Sequence, residues 1–428
     1  MMNSHSPQGG GPETAPSAAA PRGRNPLERR EARLAWALLL PTVAAVSLVV
    51  ILPLLSIFWI SVKPVGLADL RPPAPVVRED LRGRPEAAGD AATLRYRLRN
   101  TSQDKPVRDV VLTDILPDGL EIGSLDPRCT ITGRDLRCDL GDFPGGHRET
   151  IEIPVVVGQA FADAGMELPD RPPGLTGSAA NVLTSAEFTW QNFARIFDGR
   201  EFWNVLWVTL IYTVFGTVGA LVMGLFAALL LDRSFRGQGV LRGLFLFPYV
   251  APVIAVAFTW VILFDPFSGS ANALLLRMGV TNEAINFFGE RPLALIMVIL
   301  FEVWRYFPLS FLFILARMQS IDSDMYEAAE MDGASPFQQF WYLSMPQLLG
   351  ILSVLFLLRF IWTFNKFDDI FLLTGGNAGT RTLTVNVYEQ AFAVSNIGAG
   401  AAVAVVIFGC LLAFSYVFFR FISREEGL

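Results

Sequence analysis

Residues 34–62 form an unbroken run of 29 positions without a charged side chain. As a helix this run extends about 43 Å, against a bilayer hydrocarbon layer of about 30 Å. The apolar core of a secretory signal is only about 7–15 residues long, so the run reads as a retained membrane span, tilted or bent at Pro41 and Pro53. Further apolar runs occupy residues 202–231, 243–264 and 391–419, all uncharged. Residues 292–316 are interrupted only by Glu302 and Arg305, and residues 346–373 by Arg359, Lys366, Asp368 and Asp369. Charged residues make up 17% of the chain and hydrophobic ones 52%, whereas soluble domains carry about 25% charged residues. The expected fold is a membrane protein, all-α in its spans, with six transmembrane helices and a small β-sandwich inserted between the first and second.

Arginine and lysine near the span ends set the orientation. One side collects Arg22, Arg24, Arg29, Arg30 and Arg33, then Arg233, Arg236 and Arg242, then Arg317, Arg420 and Arg424; the short loops opposite hold only Arg277, Arg291 and Arg381. Eleven against three places both termini in the cytoplasm. The expected division is a disordered basic tail over 1–33, a first span over 34–62, an extracytoplasmic insert over 63–200 and a five-helix core over 201–428, with a cytoplasmic loop at 317–345. The tail expectation rests on the Gly, Pro, Ala and Ser of residues 1–21, which offer little apolar surface to bury.

Scarcity excludes several functions. The three lysines, Lys63, Lys105 and Lys366, precede Pro, Pro and Phe, so the chain has no G-x-x-x-x-G-K-[ST] phosphate loop and no ATP site of that kind. Two histidines and three cysteines are too few for a multi-His or Cys-based metal site. No catalytic constellation, metal site or cofactor is expected. No sustained basic, aromatic-interleaved stretch points to nucleic acid; membrane lipid is the expected surrounding.

The insert alternates in strand fashion. Leu94, Tyr96 and Leu98 share one face, and Arg95, Arg97 and Arg99 the other; similar signals recur at 107–116 and 149–157, with turn residues such as Pro117-Asp118-Gly119 between them. A sandwich over about 90–185 fits, and Cys129 with Cys138 is expected to form a disulfide in an oxidising compartment. The segments Tyr96-Arg97-Leu98-Arg99-Asn100, 111–120 and Cys138-Asp139-Leu140-Gly141 resemble an immunoglobulin-like repeat of bacterial surface proteins. That resemblance implies spacing or docking, or no role beyond a stable insert.

The loop between the fourth and fifth spans carries Asp322, Asp324, Glu327, Glu330 and Asp332 against Arg317 alone. Asp322 or Ser323 can cap a short helix, Gly333 can end it at positive φ, and Ser335-Pro336 with Gln338 forms a second helix start. Such an elbow suits a protein partner, with Glu327 offering a carboxylate and Ala328 and Ala329 allowing close approach; it equally suits a solvated turn. Its spacing decides between them. Glu327-Ala328-Ala329, then Gly333, then Leu343-Ser344-Met345-Pro346 resembles the signature of binding-protein-dependent ABC transporter permeases, with Leu343 and Met345 as conservative departures. Trp304-Arg305-Tyr306-Phe307-Pro308, residues 362–368 and Leu373-Thr374-Gly375-Gly376-Asn377 resemble the sugar-transporting branch, Asn377 standing where that branch usually has Pro.

The resemblance implies a permease subunit, not an enzyme, in the bacterial inner membrane. Its elbow residues Glu327, Ala328, Ala329, Gly333 and Pro346 would couple to a separate ATPase subunit. A second permease subunit and an extracytoplasmic solute-binding protein would complete the importer. For the solute pathway, Arg359, Trp362, Lys366 and Asp369 recur at spacings that put them on one helix face, with Asn365 beside it. This stripe suits either a sugar path or a structural network. Glu302 and Arg305 are expected to pair as i, i+3 neighbours. Permeases for another small solute, and ion-driven secondary transporters, are the alternative readings.

Overall fold

The computed structural model describes residues 26–83, 85–165, 168, 171–197 and 200–421. The segment expected to be disordered, 1–21, lies outside the described residues, as do Arg22, Arg24 and Arg424. The chain divides into two units, residues 1–56 and 57–428.

The first unit is helical from Pro26 on. Helix α1 (Pro26–Val46) passes through one wide turn (Ser47–Ile51) into α2 (Leu52–Ser61). Helix thus begins ahead of Arg29 and Arg30, inside the segment expected as tail. Proline suits the first helical turn, where its missing N–H would be unpaired anyway.

The insert is a sandwich of two four-stranded antiparallel sheets. In chain order the strands are β1 (Pro75–Arg82), β2 (Ala91–Asn100), β3 (Val107–Ile115), β4 (Leu120–Ile122), β5 (Cys129–Thr132), β6 (Asp135–Phe143), β7 (Arg148–Val157) and β8 (Gly174–Ser178), with a short helix α3 (Gln159–Asp163) before the last. One sheet has the order β1-β2-β7-β4, the other β5-β6-β3-β8. Alternation in β2 sends Leu94, Tyr96 and Leu98 into a core shared with Leu112, Leu136, Ile151 and Ile153. The first strand starts ahead of the expected residue 90, because β1 mixes three adjacent half-buried residues, Glu79, Asp80 and Leu81, into its alternation. Cys129 and Cys138 face each other across β5 and β6 and are joined by a disulfide.

Both ends of the insert are tied to one place. Thr189 N donates to Val62 O (2.8 Å), Trp59 Nε1 to Leu183 O (2.9 Å) and Asn192 Nδ2 to Lys63 O (2.9 Å). The Lys63 ammonium, fully buried, bonds Ser185 O and lies over the Trp59 and Phe188 rings at 4.6 and 4.2 Å. Leu67 N reaches Ser395 O (2.8 Å), linking the same junction to the last span.

The remaining helices are α4 (Gln191–Phe197), α5 (Arg200–Asp232), α6 (Gln238–Val250), α7 (Val253–Leu263), α8 (Ser270–Arg277), α9 (Leu293–Met318), α10 (Ser323–Met331), α11 (Pro336–Gln339), α12 (Met345–Phe364), α13 (Asp368–Thr374), α14 (Leu383–Tyr388) and α15 (Ile397–Phe421). Among the described residues five helical runs are long and apolar enough to cross a membrane, or six if α6 and α7 count together as one bent span. The expected third span is therefore not a straight helix: α6 and α7 meet at 92°. Pro252 is the cause. It cannot donate to the carbonyl of Pro248, and it holds Ala251 extended at φ −63°, ψ 143°.

Helix α5 lies against α9 along a row of small residues. A Cβ on Gly216 would come within 2.8 Å of Glu302, on Gly219 within 2.5 Å of Val303, and on Gly224 within 2.6 Å of Ser310. In a bilayer, where lipid is as apolar as the helix, such close backbone approach is what binds helices together.

Candidate functional site

The elbow is built from strictly local signals. The Asp322 side chain caps α10, accepting from Asp324 N at 3.1 Å. Gly333 ends it at φ +77°, a left-handed conformation that costs a side-chain-bearing residue about 1–2 kcal/mol. Ser335 and Gln338 form the reciprocal capping box of α11, with Pro336 in its first turn. From Pro336 the chain stays helical to Phe364 through a wide turn at Phe340–Ser344. The second arm of the elbow is therefore the foot of a membrane-length helix, about 43 Å long at 1.5 Å per residue.

The first arm is fastened at few points. Tyr326 and Ser344 share a hydroxyl hydrogen bond (2.8 Å) and Gln347 reaches Met325 Sδ (3.5 Å), while Arg317 Nε at the end of α9 donates to Gln347 O on α12 (3.2 Å). Glu327 and Ala328 are exposed, Ala329 is half-buried, Gly333 is exposed, and Pro346 sits exposed in the first turn of α12. Around them Met331 (88% exposed), Phe337 (71%) and Tyr342 (77%) project outward. This apolar surface amid acids was missed from sequence, although large apolar residues in a charged loop were its visible sign. Exposed apolar groups rimmed by charge mark an interaction surface.

Inside the bundle the charged residues form a knot. Glu302 on α9 accepts from Arg359 Nη2 (2.8 Å) and Thr363 Oγ1 (3.0 Å) on α12, and from Tyr212 OH (3.0 Å) on α5. All four are buried, and three helices meet in one carboxylate. Lys366 bonds the Tyr306 hydroxyl and lies 3.4 Å from Asp368 and 3.7 Å from the buried Asp369. The Tyr306 ring is also faced by Arg359 at 4.7 Å.

Two sequence expectations fail here. Arg359, Trp362, Lys366 and Asp369 do not share one helix face, because α12 ends at Phe364 and Asp369 belongs to α13. Arg359 is 2% exposed, whereas Trp362 is 49% exposed, and the exposed Asn365 turns back to bond Ile361 O (2.9 Å). Nor do Glu302 and Arg305 pair. Arg305 instead donates to Pro248 O (3.0 Å) and Ala251 O (3.1 Å), meeting the carbonyl that Pro252 leaves without its helical donor. Tyr212 and Thr363 were missed; a threonine row at 209, 213 and 217 on α5, one helical turn apart, was the available sign of a polar face. Among the described residues no group of His, Cys, Asp and Glu could hold a metal ion.

Residues 220–425 match the family of binding-protein-dependent transport system inner membrane components. The inner membrane ABC transporter permease protein YcjO of Escherichia coli is 37% identical over 223 residues, 52% of this chain and 75% of that protein. The trehalose/maltose transport system permease protein MalF of Thermococcus litoralis is 32% identical over 231 residues, 54% of this chain and 78% of that protein. A crystal structure of a bacterial alginate ABC transporter, in complex with alginate pentasaccharide-bound periplasmic protein, shares the fold at TM-score 0.52 and 18% identity, over 55% of this chain and 83% of that one. The aligned relatives, the row of small residues between α5 and α9 and the capped elbow agree: the chain belongs to the family of binding-protein-dependent transport system inner membrane components.

Proposed function

We propose that the chain is the permease subunit of an ATP-driven importer for a sugar or oligosaccharide, spanning the inner membrane six times with both termini in the cytoplasm. As a transport component it is a carrier, not an enzyme. The carrying observation is the elbow: an exposed helix capped at Asp322, turned at Gly333, and continued without a break into a membrane-length helix. The chain has no phosphate loop of its own, so ATP is bound by a separate ATPase subunit against Glu327, Ala328, Ala329 and the exposed Met331 and Phe337. Movement of that subunit tilts residues 336–364 as one rod, with Pro346 at its foot. The far end of the rod holds Arg359 and Thr363 on Glu302, so the tilt passes to α5 and α9.

The sugar assignment draws on relatives such as the trehalose/maltose permease. The partners are then a second permease subunit, two ATPase subunits and an extracytoplasmic solute-binding protein. Of the residues expected on the pathway, Trp362 and Asn365 are exposed and line the path with the second permease. Arg359, Lys366 and Asp369 hold the spans together. Gly333→Val tests the coupling role, since a β-branched residue cannot hold φ +77° without strain. In cells carrying the whole transporter, solute uptake is expected to fall to background while the amount of subunit in the membrane stays unchanged. Uptake at the wild-type rate would overturn the reading.

A further inference from the structure

The outer face of the β1-β2-β7 sheet carries a basic array that no transport step uses. Arg78 on β1 stands directly opposite Arg97 on β2, and Arg99 on β2 directly opposite Arg148 on β7. Facing pairs in an antiparallel sheet lie about 5 Å apart at Cβ, and same-face neighbours along a strand about 7 Å apart. Like charges so placed weaken a sheet. Asp80 answers only Arg95 (2.5 Å) and Arg97 (3.1 Å). Among the described residues, Arg78, Arg99 and Arg148 have no anionic partner, in a chain whose net charge is −6. The array lines a groove of about 710 Å³ whose walls also include Val76, Val77, Leu98, Thr150 and Glu149, the last already ion-paired with Arg128.

We propose that this groove binds an extended soluble polyanion, a chain carrying carboxylate or phosphate groups at intervals of a few ångström. Guanidinium groups fit this chemistry, because each presents a planar fork to a carboxylate or phosphate. A long narrow ligand suits the groove better than a flat bilayer does: the only large apolar side chain among its outward-facing residues is Val76, 39% exposed, so the face offers little to insert into lipid. The inference does not depend on which solute the spans carry.

The test uses the full-length protein in phosphatidylcholine nanodiscs, titrated with labelled oligogalacturonate, with polyphosphate and with a neutral maltooligosaccharide. Binding of either polyanion, weakened by salt as exposed charge interactions are, is expected, and the two arms separate carboxylate from phosphate as the source. The neutral chain is expected not to bind. The variant R78Q/R99Q/R148Q, which alters only exposed side chains, is expected to keep its thermal transition and to weaken polyanion binding at least about tenfold. Equal binding by variant and wild type, comparable binding of the neutral chain, or binding of neither polyanion would overturn the proposal. So would loss of polyanion affinity in phosphatidylglycerol nanodiscs by the wild type alone, since lipid headgroups would then be the occupant.

Discussion

Glu302 in the spans and Glu79 in the sandwich are both drawn out of water, and each is accommodated differently. In the spans, Glu302 is 1% exposed and receives a guanidinium, a threonine hydroxyl and a tyrosine hydroxyl. In the sandwich, Glu79 is half-buried beside Asp114, with the Tyr96 hydroxyl donated to Asp114 at 2.5 Å and no cation bonded to it among the described residues. The difference follows from the surrounding medium. A carboxylate inside a bilayer has no nearby water to supply a proton or counter-ion cheaply, so the chain supplies Arg359 from another helix. A carboxylate at the edge of a water-exposed sandwich can take up a proton instead. The first arrangement holds helices in register; the second makes part of the insert sensitive to pH.

The sharpest way to break this comparison is to remove the spans' carboxylate. Glu302→Ala strands Arg359 without its counter-charge and leaves Tyr212 and Thr363 without an acceptor. Removing one partner of a buried ion pair costs about 3–5 kcal/mol, so a large fall in the thermal transition of the detergent-purified protein is expected. The double variant E302Q/R359M removes the charge as well as its partner, and should recover much of the loss. A single variant as stable as wild type would show that the knot does not bind the three helices.

A smaller effect is expected from pressing on the same knot sterically. Gly216→Val places its Cβ within 2.8 Å of the Glu302 side chain, and overpacking of a tight contact costs about 1–3 kcal/mol. The measurement is again the thermal transition, and Gly243→Val, where an added Cβ meets nothing within 4 Å, serves as control. Equal behaviour of the two variants would separate the Glu302 knot from the packing of α5 on α9.

The knot and the elbow also differ in how readily the sequence discloses them. Every capping residue of the elbow lies within a few positions of the group it caps, so Gly333, Ser335 and Gln338 could be assigned from order alone and the first cap narrowed to Asp322 or Ser323, of which the structure uses Asp322. Similarly, the alternation at 94–99 announces a strand and its buried face. The knot joins residues 57, 61 and 90 positions apart, and spacing along one helix cannot foretell partners on another. That is why Arg305 looked like the mate of Glu302, three residues away, when its guanidinium serves the carbonyl freed by Pro252. The stripe on the fifth span failed for a related reason: helical periodicity was carried through Asn365-Lys366-Phe367, where the helix stops.

The mildest prediction concerns Glu79 and sharpens the other side of the comparison. Burial, with the Asp114 charge beside it, pushes its carboxyl from 4.5 up to about 7. An acid whose pKa is raised by folding holds its proton more tightly in the folded state, so its contribution is fully present below pH 4.5 and is lost as pH rises through about 7. One proton bears at most about 1.36 kcal/mol per pH unit, and a half-buried carboxyl beside Asp114 should show well under that. Hydrogen-exchange protection of the β2 amides, corrected for intrinsic rates, is therefore expected to decline modestly from about pH 5 to pH 8. Glu79→Gln keeps the shape and removes the titration, so its protection should be flat across that window. Were the variant to retain the wild-type slope, Glu79 would not be the group that carries it, and the contrast with Glu302 would fail on the sandwich side.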